Sequence, residues 1–361
     1  MPASPALARD LARQTRSLYE QATTDLIRSI ARQVSAGADV GDWQTRKLES
    51  MSVLLREADR VIERLDAEVP GAVEDALTSA YQRGTRAASS EAVRAGITGG
   101  FGADAEREGI TRLLDAALRP HEQAILQIRR STLDAYDDAI VRAAGRVLTG
   151  TASTRDAARS ALNVLAERGI TGFQDRSGRR WDLASYAEMA TRTSSGHAAI
   201  EGHMARLSTL DADLVYVSDS PEECRICRPF EGRVLSITGK TRGTVADGVQ
   251  VLCSVAEARD RGLYHPNCTH SQSVFLPGFT ELPTDTADPV DGALREQQRA
   301  YERRVRKWKR RVELDEQMYG KHSPQAKHTR AQLRETHAEF KAWRDEHDRR
   351  PVPGRTSLTH R

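Results

Sequence analysis

Two short stretches carry most of the side chains able to hold a metal ion. HPNCTH, residues 265 to 270, places His265, Cys268 and His270 within six residues around a proline. Upstream, ECRIC supplies Cys224 and Cys227. A two-residue spacer lets two sulfurs face one tetrahedral ion while the backbone amides of the turn point at them. His265 and Cys268 repeat that spacing. The pattern therefore predicts a structural Zn2+ held by Cys224, Cys227, Cys268 and either His265 or His270. Four protein ligands leave no open coordination position, which argues against zinc catalysis. The alternative is a set of buried small residues and turn formers with no metal. The two pairs are separated by 37 residues, more than a compact zinc ribbon needs, and Cys253 lies alone in that interval.

Other chemistries lack their required spacing. HAAIEGH sets His197 and His203 six apart with Glu201 between them. A zincin helix needs H-E-x-x-H, so that both imidazoles share a face. HAE at 337 to 339 matches half of a zinc-deaminase signature, without the P-C-x-x-C half. No G-x-S-x-G elbow occurs. A nuclease built on His265, Asn267 and His270 would crowd all its groups into one turn, whereas metal-dependent phosphodiester cleavage draws them from separate elements. No catalytic residue is assigned.

The second cluster is basic. RRVRKWKRR contains Arg303, Arg304, Arg306, Lys307, Lys309, Arg310 and Arg311, with Val305 and Trp308 on one face. It fits a helix that contacts phosphates of double-stranded DNA. It also fits a helix that docks a narrow apolar stripe on a partner while its arginines pair with nearby acids. Net charge is +3, but residues 294 to 361 hold 19 Lys/Arg against 10 Asp/Glu, so the remainder of the chain is negative by six.

The elements that must position these residues follow from periodicity. A chain of 361 residues with 5% aromatic and 29% charged residues suits two or three units of long helices with modest cores. The expected class is mostly α with a small α+β domain. Residues 5 to 34 read as an amphipathic helix with Leu7, Leu11, Leu18, Ala22, Leu26, Ile30 and Val34 on one stripe. Met51, Leu55, Ala58, Ile62 and Leu65 suggest a coiled-coil-like seam on a second helix. Pro70 is expected to open a third helix, carrying Val73, Leu77, Tyr81 and Gly84. The Gly-rich stretch 96 to 102 reads as a flexible joint, and Pro120 as a kink or boundary in the helix that follows. Ser153 or Thr154 should cap a short helix ending at Gly169. From residue 170 the texture changes to short alternating pieces. The expected organisation is an elongated helical region at 1–150, an α+β block with the Cys/His cluster at 151–280, a linker at 281–292 and a basic helical tail at 293–361. Trp181, Tyr186, Arg192 and Gly232 are expected to frame the cluster.

No secretory leader is expected, since arginines and acids stand where an apolar stretch would sit. No run approaches the roughly 18 apolar residues of a membrane span. A soluble protein made in a cytoplasm is expected, with its four cysteines reduced.

Four blocks in series carry a resemblance. They are GITGFQDRSGRRWDLASYAEMATRT, then DLVYVSDSPEECRICRPFEGRVLSITG, then LYHPNCTHSQSVFLPG, then REQQRAYERRVRKWKRR. Their order over about residues 165–345 resembles the minor capsid proteins of tailed bacteriophages, in the Mu-type head morphogenesis group. Asp219-Ser220 stands where many relatives carry a histidine, and the N-terminal helices match no motif of the group. The resemblance implies a nonenzymatic virion component, present in few copies in the capsid interior or at the portal vertex. Its partners would be the portal protein or the major capsid protein, and packaged DNA, with no membrane and no small-molecule substrate. The rival classes are a zinc-dependent, nuclease-like DNA-processing enzyme of the phage head and a zinc-ribbon DNA-binding regulator.

Overall fold

The computed structural model describes residues 10–36, 43–100, 102–149, 151, 153–168, 173–174, 180–219, 226–245, 248–265, 268, 270–282, 289–352 and 355–356. Leu7, Cys224, Gly169 and half of the expected linker lie outside them. The helices are α1 (Ala12–Ala36), α2 (Trp43–Arg94), α3 (Ala103–Leu126), α4 (Ile128–Leu148), α5 (Thr154–Arg168), α6 (Leu183–Ser208), α7 (Val255–Asp260), α8 (Pro289–Tyr319) and α9 (Pro324–Glu346). The strands are β1 (Phe173–Gln174), β2 (Arg180–Trp181), β3 (Leu214–Val217), β4 (Val234–Ser236), β5 (Gly243–Thr244), β6 (Gln250–Ser254) and β7 (Gln272–Val274). The class is therefore mostly α with a small mixed sheet, as the periodicity predicts. No helix among the described residues is long and apolar enough to cross a membrane.

Two compact units form, each from three chain segments. Unit 1 takes Met1–Thr15, Pro70–Pro120 and Glu188–Arg295; unit 2 takes Arg16–Val69, His121–Ala187 and Glu296–Arg361. Two expected boundaries move. Pro70 does not open a helix, because α2 runs through it, and Pro120 lies inside α3 while the break falls at Gln127. Each proline leaves one carbonyl of the preceding turn without a helical donor. Each also marks a place where the chain changes unit.

Unit 2 is helical. α1 buries Ala22, Leu26, Ile30 and Val34 of the stripe read from the sequence, while Leu11 and Leu18 are only half-buried. On α2 the buried line is Leu54, Ala58, Val61, Leu65 and Val69, with Met51, Leu55 and Ile62 only partly covered. The seam is thus turned about one residue from the expected heptad. α5 begins at the Ser153 cap, whose Oγ accepts from the Asp156 amide at 3.2 Å. Trp181 and Tyr186, expected beside the cysteines, meet edge to face in this unit at 6.1 Å. Tyr301 of α8 stacks on Phe340 of α9 at 5.4 Å.

Unit 1 holds the sheet, in the order β5-β6-β4-β3-β7. β3 runs antiparallel to both β4 and β7, while β4 and β6 are parallel. Side chains alternate faces along each strand. Val215, Val217, Leu235, Cys253 and Val274 join one core with Ile200, Met204 and Leu207 of α6 and Ala87 and Ala88 of α2. Leu214, Val234, Val251 and Phe275 form the core of the other face.

α6 lies directly on α2. A Cβ on Gly84 would stand 2.0 Å from the Ala199 carbonyl oxygen, and one on Gly202 would stand 2.3 Å from that of Tyr81. Only glycine lets two backbones approach so closely. A buried polar chain ties this crossing to β7. Tyr264 donates its hydroxyl to Gln272 Oε1 at 2.9 Å, and the Gln272 amide donates to His203 Nδ1 at 3.1 Å. His203 Nε2 then donates to Glu91 at 3.1 Å, and Glu91 accepts the Val274 amide at 2.9 Å. Within the expected flexible joint, Gly99 and Gly100 are held: Arg206 donates to their carbonyls at 2.6 and 2.7 Å.

Candidate metal centre

Two loops at one end of the sheet converge. Cys227 lies between β3 and β4, and its carbonyl accepts the Phe230 amide at 2.9 Å as the first bond of a 3-10 turn (Arg228–Phe230). His265 and Cys268 lie between α7 and β7. There the Cys268 amide donates to the His265 carbonyl at 2.9 Å and closes a four-residue turn. Two backbone features aim this loop. Tyr264 has φ +61°, uncommon for a bulky residue, and is held there by its buried ring and by His197 Nε2 at 2.8 Å from its carbonyl. Gly262 has φ +104°, and a Cβ on it would stand 2.5 Å from Ile226 Cγ2. A glycine at 262 therefore lets the Cys227 loop close on the His265 loop.

The ligand atoms of Cys227, His265 and Cys268 all lie within 4.8 Å of one another. The two sulfurs are 3.6 Å apart. Two thiolates bound to one tetrahedral Zn2+ at roughly 2.3 Å each stand about 3.8 Å apart, so the observed spacing fits a shared ion. Both cysteines are buried, and His265 is half-buried. The group could hold a metal ion, and its donor set of two sulfurs and one nitrogen matches the chemistry zinc prefers.

Between the two candidate histidines, the geometry separates roles. His265 joins the sulfur pair. His270 is fully buried, with Nδ1 3.4 Å from Cys268 Sγ and Nε2 hydrogen-bonded to Glu231. The Cys268 thiol is held down to about 4, first by the hydrogen bond from Cys227 and then by His270, against the opposing effect of burial. Burial pulls the His270 imidazole down, but Cys268 and Glu231 together raise it above its ordinary value. Cys253 stays apart, on β6 in the sheet core, and burial pushes its thiol up. Glu231 carries no sequence signal, since a lone glutamate after a 3-10 turn has no telling spacing.

The residues set aside as a false zincin have structural partners instead. His197 meets the Tyr264 carbonyl, Glu201 pairs with Arg259, and His203 belongs to the buried polar chain.

On α8 the basic run is divided. Arg303 and Arg304 are exposed, and Lys307, Lys309, Arg310 and Arg311 are half-buried. Arg306 is only 8% exposed and donates to the Arg355 carbonyl at 2.7 Å. Its guanidinium faces inward, so it does not lie on the outer surface as the phosphate-contact pattern requires. Arg304 pairs with Glu339, and Arg311 lies 4.9 Å over the Trp308 ring. Val305 is fully buried within the chain.

Residues 4–344 match the family described as phage minor capsid protein 2. The chain belongs to that family. A curated relative, named "Structural protein" from Lactococcus phage LL-H, is 23% identical over 195 residues. That match spans 53% of this chain and 53% of the relative. No solved structure matches the chain. Family and relative together point to a structural component of a phage particle.

Proposed function

We propose that the chain is a nonenzymatic minor capsid protein of the Mu-type head morphogenesis group. It joins the head during assembly by binding the portal protein or the major capsid protein, on the capsid interior or at the portal vertex. The observation that carries this reading is the family match across residues 4–344. The Cys227, His265 and Cys268 group supports a structural role for its metal, because it lies in a buried loop junction beside the sheet. Zn2+ is the ion its donors favour.

The test is assembly with the cognate portal and major capsid proteins, followed by sedimentation of the procapsids. Recovery of the chain in the procapsid fraction, at few copies per particle, is expected; its absence from particles that otherwise form would remove the capsid reading. The nuclease-like alternative predicts cleavage of double-stranded DNA that EDTA abolishes, and no cleavage is expected here.

DNA contact rests on a narrower footprint than the full basic run. Arg303, Lys307 and Arg311 recur every four residues and share a helix stripe away from buried Glu302 and Arg306. This stripe is the part of α8 suited to phosphates of packaged DNA.

A further inference from the structure

We propose that Glu231 and His270 are positioning residues that orient the Cys268 thiolate toward a bound metal ion. The inference rests on the metal reading of Cys227, His265 and Cys268. It adds two residues that spacing does not assign to the ligand set.

The argument starts from hydrogen-bond complementarity. A metal-bound Cys268 is a thiolate and can only accept. The Glu231 carboxylate, buried apart from about a tenth of its side chain, also accepts. His270 lies between them, with Nδ1 toward the sulfur at 3.4 Å and Nε2 toward the carboxylate. Each ring nitrogen therefore faces one of these groups. The contact with Glu231 fixes the ring plane, and the ring edge so placed meets Cys268 Sγ. Metal sites commonly use such outer partners to hold a ligand in its productive direction.

The fold supplies the fixed geometry. Val217 on β3 bridges to Glu231, and the Gly232 amide donates to the Val217 carbonyl at 3.0 Å. On the other strand, the Ser218 amide donates to the Ser271 carbonyl at 2.8 Å, and Ser271 returns a bond to Ser218 Oγ at 2.9 Å. The end of β3 thus sets both Glu231 and His270, one through each neighbour. Those bonds tie the end of β3 to the chain on either side of it. His270 stays outside the set of ligand atoms that lie within 4.8 Å of one another.

The test uses the full chain and Zn2+ and Co2+ as probes. Glu231→Gln keeps the side-chain shape and removes the charge; His270→Gln removes the relay. Zinc affinity, read by competition with a chromophoric chelator, should fall about tenfold for Glu231→Gln and about 10- to 100-fold for His270→Gln. The thiolate-to-Co2+ charge-transfer band should shift in energy in both variants while the number of sulfur ligands stays the same. A purely structural role would lower thermal stability without moving that band. Far-ultraviolet dichroism checks folding, and Glu231→Gln serves if His270→Gln fails to fold. Folded variants with wild-type affinity and an unshifted band would overturn the positioning role. A wild-type chain that binds neither ion would overturn the metal reading beneath it.

Discussion

Tyr264 and Gly262 have left-handed backbones next to a candidate ligand, and both are compensated locally. At Gly262, φ is +104° and the Cβ position is 2.5 Å from Ile226. Gly262→Ala should therefore destabilise the chain by about 1–3 kcal/mol in denaturant unfolding, through backbone strain and displacement of the Cys227 loop. An unchanged unfolding midpoint would show that the loops tolerate separation. His121 offers a second test. Burial alone lowers its imidazole to about 4, beside the Tyr19 hydroxyl at 3.3 Å. The unfolded chain binds a proton there near pH 6.5 and the folded chain does not, so stability rises with pH across this window. It is fully present above about pH 6.5 and falls by roughly 3 kcal/mol as pH drops to about 4. In His121→Gln, urea midpoints between pH 4 and 7 should lose that slope. Of the candidate group, Cys227, His265 and Cys268 were legible, because ligand spacing is a local property of the chain. The contact of Glu231 with His270, and the place of His270 outside the group, were not. Both depend on which loops β3, β4 and β7 bring to the same sheet end, and pairing of strands distant in sequence leaves no short-range mark.

At the scale of elements, α8 divides into an outer and an inner face. On the inner face, burial pushes the Asp182 carboxyl up, but Arg310 and Arg306 outweigh it and hold it below its ordinary value. Nearby Glu20 is raised by burial, with Arg16 and Arg306 opposing. Removing one charge from such a buried cluster leaves others uncompensated, so Arg306→Gln should cost about 3 kcal/mol in chemical unfolding. The outer stripe should behave differently. Changing Arg303, Lys307 and Arg311 together to Gln should cost less than Arg306→Gln does, because Arg303 is exposed and Lys307 and Arg311 are only half-buried, whereas Arg306 is buried. If the stripe contacts DNA, the salt slope of binding should fall by about two to three units. An isotherm that overlays the wild type from low to moderate salt would remove DNA from the partners of α8. Composition marked this helix as charged but could not divide its faces, since the acids that claim Arg306 and Arg310 come from α1 and from the residue before α6. The same limit explains α2. Its apolar period was visible, yet Pro70 suggested an end, because a proline's cost is local while the packing that carries the helix through it is not.

At the scale of the whole molecule, the sheet shares its unit with residues 70–120. Chain order suggests cutting near residue 151 and keeping an α+β block, but unit 1 combines residues 70–120 with 188–295. The cut removes Tyr81 and Gly84, whose backbones meet α6 at Gly202 and Ala199. It removes Ala87 and Ala88 from the core shared by α6 and four strands. It also removes Glu91, which accepts from both His203 and the Val274 amide. Fully buried His203 would lose its acceptor, and one face of α6 would turn to water. Leaving buried polar groups without partners costs about 1–3 kcal/mol each, and the lost apolar contacts add to that. A fragment of residues 151–361 should therefore lack a cooperative thermal transition and show the collapsed amide dispersion of an unpacked chain. Gly84→Leu in the full chain probes the same crossing with one residue. It should lower stability by more than about 3 kcal/mol, because the Ala199 carbonyl is backbone and cannot step aside. A truncated fragment that unfolds cooperatively and binds Zn2+ like the full chain would mean that α6 and the sheet are complete without α2. The small sheet would then be an independent domain after all.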